Sequence, residues 1–578
     1  RPDGSRPGEI RIGQPGSSAL AAPLIEAASG GSIMMFAPSI DNQGGVIKSP
    51  DGQVILAAGK KVFLTSNPDS SDITLRGLVV EVAAEEDGPD LNLSNLIRNA
   101  GQISADRGNV SLVALAINPQ GRISADTAVQ SNGSIYLKAR AQTESAGVKA
   151  GSVVLAAGSV TAVDPSATDQ ATLVDAQDYT PYRGVVDIRA ATIASSGTIR
   201  ATGGKVLLTA EDAASPEAAR VYLDQGSVTS AAGVWSDVDF AKNIATFRVT
   251  SNELKNAPDQ KDGILRGATV TVDLRRDNDI LALDGYRATV QRSVTEKAAV
   301  GGEITMRVRG SGTQRAVGGL DGSGGGYRYN AGLVNATQLL GADGKLYDIA
   351  TAPQDLRYAA QLDRFDVKYD RWGQTISYAN PLGTVGTYQP AYAEGRAGGA
   401  LTIGSKTGLV LDGNLRGGVT VGAQQMSRAP AAASLRIGGG IVANTGNYNV
   451  GQLIGNLVWR AHAADSLGAA FQSTDALTPG QRNTFALAAD QVFGQALRTA
   501  DGRVEQGFGS VEVNSNGSIV LPDGVRVSAE PGTSLVLRAP RLDIGGDIHL
   551  PAGNLTLATI ANPGTFVSDD IANQTERI

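Results

Sequence analysis

The sequence predicts an all-β chain wound as a right-handed parallel β-helix, and three observations carry that expectation. First, units of the form Gly-x-(Ile/Val)-x-(Ala/Leu) recur in tandem. Gly101-Gln-Ile-Ser-Ala105 leads into Gly108-Asn-Val-Ser-Leu112, and twenty residues after Gly101, Gly121-Arg-Ile-Ser-Ala125 leads into Gly133-Ser-Ile-Tyr-Leu137. The pattern returns at 197–210 and again at Gly532 and Gly553, twenty-one residues apart. Second, glycine supplies 72 of 578 residues, well above the ordinary share of roughly 7%, without the triplet period of collagen. Third, aromatic residues are only 5% of the chain and charged residues 19%, as suits a narrow tube lined with Ile, Val, Leu and Ala. Alternation within each unit marks a strand, and even spacing near twenty marks a solenoid. Neither the Asn or Cys of a leucine-rich repeat nor a Gly-Gly-x-Gly-x-Asp calcium nonapeptide recurs. What remains is a coil of two or three strands, turned at Gly, Asn, Asp and Pro and stacked at about 4.8 Å. One coil cannot offset the entropy of ordering its own backbone, so coils must share core and ladder contacts with neighbours.

In chain order, residues 1–30 carry little pattern and coils read clearly over 31–214. The polar stretch 83–97, with Glu85-Glu86-Asp87, is expected to loop from a corner, where insertions leave the tube untouched. Over 215–395 the glycine spacing blurs, and ten of the twenty-seven aromatic residues gather between Tyr327 and Tyr392. This predicts a mixed region in which coils persist, with 268–274 and 303–308 as their strands, beneath a compact aromatic-rich extra-helical insertion. Coils resume over 396–460, at Gly399, Gly408 and Gly418. Thr478 as a cap, Pro479 at the first helical position and an apolar stripe of Phe485, Ala489, Val492, Phe493, Ala496 and Leu497 predict one amphipathic helix over 479–498. It sits in a helical excursion spanning 461–506. Coils return over 507–560, and 561–578 form a polar tail. About twenty coils would make a rod on the order of 100 Å long.

A net charge of −7 and a pI near 5.2 argue against nucleic acid, which calls for a basic stripe. No stretch approaches the eighteen or so uninterrupted apolar residues of a transmembrane segment. The chain opens Arg1-Pro-Asp-Gly-Ser with no charged-then-apolar leader, which reads as a removed leader or an internal piece. The absence of cysteine suits a chain exported unfolded, and a long β-helix has core enough without disulfides.

Little points to catalysis, a metal or a cofactor. Only His462 and His549 are present, too few for a zinc site or a Ser-His-Asp triad, and His549 is expected to face outward from its strand. A polysaccharide-cleaving β-helix would need carboxylates stacked on one face from successive coils. Glu85-Glu86-Asp87 and Asp569-Asp570 are runs outside the strands, and Asp187, Asp273 and Asp547 are scattered. Gly203-Gly204-Lys205 precedes a strand where a phosphate loop would precede a helix. The aromatic segment is the one candidate recognition surface, because exposed rings stack on sugars and anchor protein contacts. Most of its rings are expected to form the insertion's own small core. Trp372 and Tyr378 are expected to be exposed, with Tyr369 and Arg371 beside them, and Arg328, Arg357 and Arg364 nearby.

The repeats at 45–59 and 101–139, the run Gly326-Tyr-Arg-Tyr-Asn-Ala-Gly-Leu-Val-Asn, the segments Gly344-Lys-Leu-Tyr-Asp-Ile-Ala and Tyr369-Asp-Arg-Trp-Gly373, and Ala393-Glu-Gly-Arg-Ala-Gly-Gly-Ala-Leu-Thr-Ile403 resemble the filamentous-haemagglutinin-like exoproteins of Gram-negative bacteria, exported by two-partner secretion. The resemblance covers most of 31–560. The family's amino-terminal Asn-Pro-Asn-Leu and Asn-Pro-Asn-Gly signatures are not found here, so it implies an interior or processed piece. It implies a secreted, cell-surface or extracellular protein that adheres or builds a biofilm matrix without catalysis. Implied partners are an outer-membrane transporter, a glycan or host or bacterial surface receptor, and other copies of the chain end to end. A self-assembling filament subunit, a stalk for a contact-dependent toxin and a polysaccharide-degrading β-helix are the competing readings.

Overall fold

The structure is a computed structural model that describes residues 8–13, 22–59, 61–67, 77–82, 95–129, 131–144, 147–169, 171–174, 183–212, 215–250, 252–255, 257–315, 318–362, 364–379, 386–425, 427–439, 454–494, 497–498 and 504–559. Glu85-Glu86-Asp87, Asp569-Asp570 and the tail 561–578 lie outside the described residues.

One coil consists of the strands Leu96–Asn99, Gln102–Asp106 and Asn109–Ala114, and the next repeats it with Ala116–Pro119, Arg122–Thr127 and Ser134–Ala139. Each strand pairs in parallel with its counterpart one coil away. Three long parallel sheets result, two of nine strands and one of twelve, and the molecule is a parallel β-helix. The tandem glycine units are the second and third strands of each coil.

Aliphatic side chains, with Thr161 and Thr229 among them in the second sheet, stack at each inward position. In the second sheet the column runs Ile25, Ile47, Ile103, Ile123, Thr161, Ile199, Thr229, Leu320, Leu415. In the third sheet Leu56, Leu112, Leu137, Ile188, Leu208, Met306, Ile403, Ile437, Val513 and Leu537 form another, none of them more than 1% exposed. Because successive rungs sit about 4.8 Å apart, each aliphatic group lies in van der Waals contact with the one above and below.

The corners explain the glycines and asparagines. A Cβ on Gly302 would lie 2.0 Å from the Gly204 carbonyl oxygen, and one on Gly204 would lie 2.2 Å from that of Gly184. The motif opens on glycine because backbone from the previous coil fills the Cβ position. At another corner Asn42 Nδ2 donates to Asn99 Oδ1 one rung on at 2.8 Å, and Asn99 donates in turn to the Arg122 carbonyl at 3.2 Å. Both asparagines are buried, so the ladder satisfies amides that would otherwise be stranded.

Four expectations about the fold need correction. Among the described residues the longest sheet has twelve rungs, a stack of roughly 50 Å at the usual spacing, about half the length expected. The difference lies in two insertions that consume residues without adding rungs. The strand expected at 268–274 exists as Thr269–Asp273, but it pairs antiparallel with Ile244–Arg248 inside an insertion; Glu303–Val308 is the coil strand, paired in parallel on both sides. Likewise Val419–Val421 leaves the stack to pair antiparallel with Val504–Gln506.

The single helix over 479–498 is not formed. Thr478 does cap a turn at Pro479–Asn483, with the reciprocal Gln481 contact, but Thr484–Ala488 is a strand paired in parallel with Asn456–Arg460, and only Ala489–Val492 is helical again. Phe485, Ala489 and Phe493 are spaced by four, an interval that returns to the same face in a strand as well as a helix. The burial of these three was therefore read correctly and their period was not. Ala496 lies outside the described residues.

Two substitutions test the stacking. Gly302→Ala should lower stability by about 1–3 kcal/mol in chemical denaturation. Gly285→Ala should be neutral or slightly stabilising, since its Cβ would meet open space within the short helix Asp284–Arg287. Equal effects would refute the carbonyl-contact explanation. Glu512 reports on charge stacking: Arg436 on the preceding rung and Arg538 on the following one reach it at 3.0 and 2.7 Å. Burial alone would raise its carboxyl pKa, but the bonds from Asn514, Arg436 and Arg538 outweigh that and hold it below the ordinary value. Its stabilising contribution is therefore complete above the unfolded pKa of about 4.3 and lost as pH falls through the lower folded value. Glu512→Gln should lower the thermal midpoint at neutral pH, and the gap from the parent should close as the solution is acidified below about pH 4.

Candidate functional site

Both large insertions leave from the same corner, between a second-sheet strand and the next third-sheet strand. One follows Val228–Ser230 and returns at Glu303–Val308; the other follows Gly319–Asp321 and returns at Ala400–Ser405. They leave successive rungs, so they emerge one above the other and fuse. Trp235–Val238 of the first pairs in parallel with Gly326–Tyr329 of the second, which pairs antiparallel with Tyr392–Gly395. Thr172–Val174, from the same corner lower down, adds a contact by pairing antiparallel with Gln291–Ser293. The fused module has its own core, with Leu265, Val270, Val272 and Leu281 from the first insertion packed with Leu339, Ile349 and Tyr358 from the second.

The interior of the module absorbs several of the clustered rings. Tyr327, Tyr329 and Tyr358 are buried, Tyr347 packs against the module core, and Tyr392 packs beside Tyr327 and Tyr329. Burial pushes the Tyr358 phenol up to about 12. Tyr388, by contrast, is 64% exposed.

The expected surface residues lie on a hairpin. Arg364–Tyr369 and Gln374–Ala379 pair antiparallel, with Tyr369 opposite Gln374, Val367 opposite Ile376, and Phe365 opposite Tyr378. Asp370–Trp372 forms the tip, closed by Gly373 in the left-handed region at φ 61°, a conformation glycine adopts without Cβ strain. Trp372 is 66% exposed and Tyr378 40%; Arg371 is exposed and Tyr369 half-buried. The Tyr369 and Trp372 ring centroids are 5.9 Å apart, and the Tyr369 and Tyr378 hydroxyls meet at 3.2 Å. Strand periodicity puts Val367, Tyr369, Ile376 and Tyr378 on one face, with Ile376 and Tyr378 open to solvent. Of the nearby arginines, Arg328 lies 5.3 Å over Trp235 and Arg357 lies 3.4 Å from Asp259; the Arg364 side chain is outside the described set.

A second arrangement escaped sequence reasoning. Where the module meets the loop around Arg428 there is a cavity of about 360 Å³, lined by Arg275, Arg287, Arg292, Arg396 and Arg428 with Glu394, Asn243, Tyr327 and Tyr329. Arg275 and Asp273 form a buried two-pronged pair at 2.8 and 2.6 Å. The Arg275 guanidinium also lies 5.1 Å from the Tyr329 ring centre and 5.3 Å from that of Tyr392. Tyr327 lies between Arg292 at 4.7 Å and Arg396 at 5.3 Å. Burial raises the Glu394 carboxyl pKa, against the pull of the Tyr392 hydroxyl, Arg275, Arg396 and Arg428. The only local signal in the sequence is the Asp273-Leu-Arg275 spacing: Asp273 ends its strand and accepts from the Arg275 backbone N–H at 3.0 Å, a turn that folds the guanidinium back onto the carboxylate.

Among the described residues no cluster of three metal-ligating side chains is found. His462 is exposed with Nδ1 3.0 Å from Asp490, and His549 lies exposed on Asp547–His549. Stacked carboxylates do occur, at Asp106, Asp126 and Asp164, which stand in register on three successive rungs. Their signal in the sequence is the Ser-Ala-Asp run at 104–106 repeated twenty residues on at 124–126. Asp164 is held by Thr202 at 2.7 Å and by the Arg200 guanidinium, and Asp126 accepts from the Arg107 backbone N–H. Asp187 pairs with Arg189 at 2.7 Å.

No family model, curated protein or solved structure matches this chain. No helix among the described residues is long and apolar enough to cross a membrane.

Asp273→Asn should leave Arg275 buried against a neutral partner and cost about 3–5 kcal/mol in the module. Limited proteolysis should cut first within 235–395, while far-ultraviolet circular dichroism of the β-helix changes little. Loss of both signals together would mean that module and stack unfold as one unit.

Proposed function

We propose that this chain is a secreted structural and adhesive protein of the bacterial surface or extracellular matrix, acting by binding and not by catalysis. The carrying observation is the hairpin Arg364–Tyr369 and Gln374–Ala379, which lifts Trp372, Ile376 and Tyr378 into solvent on a module set beside a repetitive rod. A long regular stack offers few distinguishing features along its length, whereas loops and hairpins held by a rigid scaffold are where binding groups usually sit. Exposed Trp and Tyr rings suit the apolar faces of sugars and the centres of protein contacts. On this reading the partner is a glycan or surface receptor, and the sequence resemblance adds an outer-membrane transporter of two-partner secretion that exports the chain.

A second reading, a self-assembling filament subunit, draws on a different observation. The last described rung, Asn554–Thr559, pairs with Ser534–Ala539, and its Leu555 and Leu557 are 46% and 44% exposed. Open strand edges with apolar side chains pair readily.

The double substitution Trp372→Ala with Tyr378→Ala separates the two. On the adhesive reading it should weaken binding to a glycan-coated surface at least ten-fold, about 1.4 kcal/mol or more, with an unchanged β-sheet spectrum. Binding that survives intact would remove the hairpin from the mechanism. Filaments in electron micrographs of the doubly substituted protein, matched by those of the parent, would favour assembly through the rungs instead.

A further inference from the structure

The arginine-lined cavity lies apart from the hairpin tip and is not used by the adhesive reading. Its walls come from several distant segments: Asn243, Arg275 and Arg292 from the first insertion, Tyr327 and Arg396 from the second, and Arg428 from the loop beyond. Four of its arginines are already paired with carboxylates, Arg275 with Asp273, Arg287 with Asp284, Arg292 with Glu296 and Arg428 with Asp277.

Two donors remain unanswered. The Asn243 side chain is 97% buried, taking the complement of its 3% exposure, and its Oδ1 accepts from Arg292 at 3.0 Å. Its Nδ2 has no hydrogen-bond partner among the described residues, and neither has the buried Nε of Arg396. A buried donor left without an acceptor is costly and uncommon. Two of them lining one cavity, with guanidinium groups around them, call for oxygen acceptors carrying negative charge.

Size and lining narrow the choice. At about 360 Å³ the cavity is far larger than the space a single water or simple inorganic ion fills, and it falls within the range of small-molecule pockets. Glu394 would repel a bare anion, yet its carboxyl group is well suited to bonding with hydroxyls. Leu274, Val290 and Val300 supply a small apolar wall. Oxyanion, hydroxyls and a short apolar face together describe one kind of molecule.

We propose that this cavity binds an anionic saccharide, a sugar ring bearing a carboxylate or a phosphate, with the anion on Arg396 and Asn243 and the hydroxyls toward Glu394. The inference is independent of the hairpin, since the two sites share no residue.

The test is isothermal titration of the full chain at low salt with glucuronate, glucose 6-phosphate, glucose and inorganic phosphate. At least one of the two charged sugars should bind ten-fold or more tighter than both glucose and inorganic phosphate. Preference for glucuronate identifies a uronic-acid site and preference for glucose 6-phosphate a sugar-phosphate site; both support the proposal. Arg396→Gln should weaken that binding ten-fold or more. Ala397→Leu, which fills the cavity and removes no charge, should abolish it with an unchanged thermal midpoint. The proposal is overturned if neither charged sugar binds, if glucose or inorganic phosphate binds as tightly, or if Ala397→Leu binds like the parent.

Discussion

Register between rungs is the constraint from which the rest of the structure follows. Each strand must lie on its counterpart one coil away without slipping, because a slip of one residue would turn every inward Ile or Leu outward. Meeting this condition over twelve rungs forces like to stack on like. Isoleucine meets isoleucine in the second-sheet column, Asn42 meets Asn99, and Gly302 meets Gly204 at a distance that admits no side chain. The repeat in the sequence is the trace of that geometry, and it weakens only where a corner releases the chain. Corners can release it because they carry turns and not core, so the columns on either side of an insertion remain continuous: Leu208 stacks on Met306, and Met306 on Ile403.

The same rule explains what the sequence disclosed and what it hid. Coil strands were legible because their alternation and opening glycines repeat at a fixed interval. The insertions were legible as a region, by lost spacing and gathered aromatics, but their pairings were not. Strand Thr269–Asp273 looks like any coil strand locally, and only its antiparallel partner Ile244–Arg248 assigns it to the module. In the segment at 484–488 spacing by four is compatible with both periods, and pairing with Asn456–Arg460 makes it a strand. Trp372 and Tyr378 are exposed because Gly373 closes the hairpin tip at Trp372, and Tyr378 lies on the strand that leads away from it. The arginine cavity had no comparable trace, since its residues lie more than 180 positions apart along the chain, from Asn243 to Arg428.

Within the module, the chemistry of arginine does work that lysine would not. Arg275 meets Asp273 through two parallel bonds while its flat face lies over Tyr329 and Tyr392. A guanidinium is planar, weakly hydrated and permanently charged, so it can satisfy a buried carboxylate and stack on rings at once. An ammonium group offers neither the fork nor the face. The aromatic residues that mark this stretch of sequence are therefore held as much by cations as by each other. This is why Tyr327 and Tyr329 can be buried beside a polar cavity without a large aliphatic core around them.

Rod and module divide the labour physically. The rod's stability comes from many equivalent contacts, so no single height along it is distinguished, and a partner bound to its sides would find similar surfaces at every rung. The module breaks this equivalence because two insertions leave one corner on successive rungs and are forced together. Strand pairing between Trp235–Val238 and Gly326–Tyr329 locks them, and the shared core makes one body of two loops that neither could order alone. Once that body exists, it can carry groups the rod cannot tolerate: exposed rings at a hairpin tip and unpaired donors in a cavity. Both are costly to a fold that must repeat, and both can be borne by a module that occurs once.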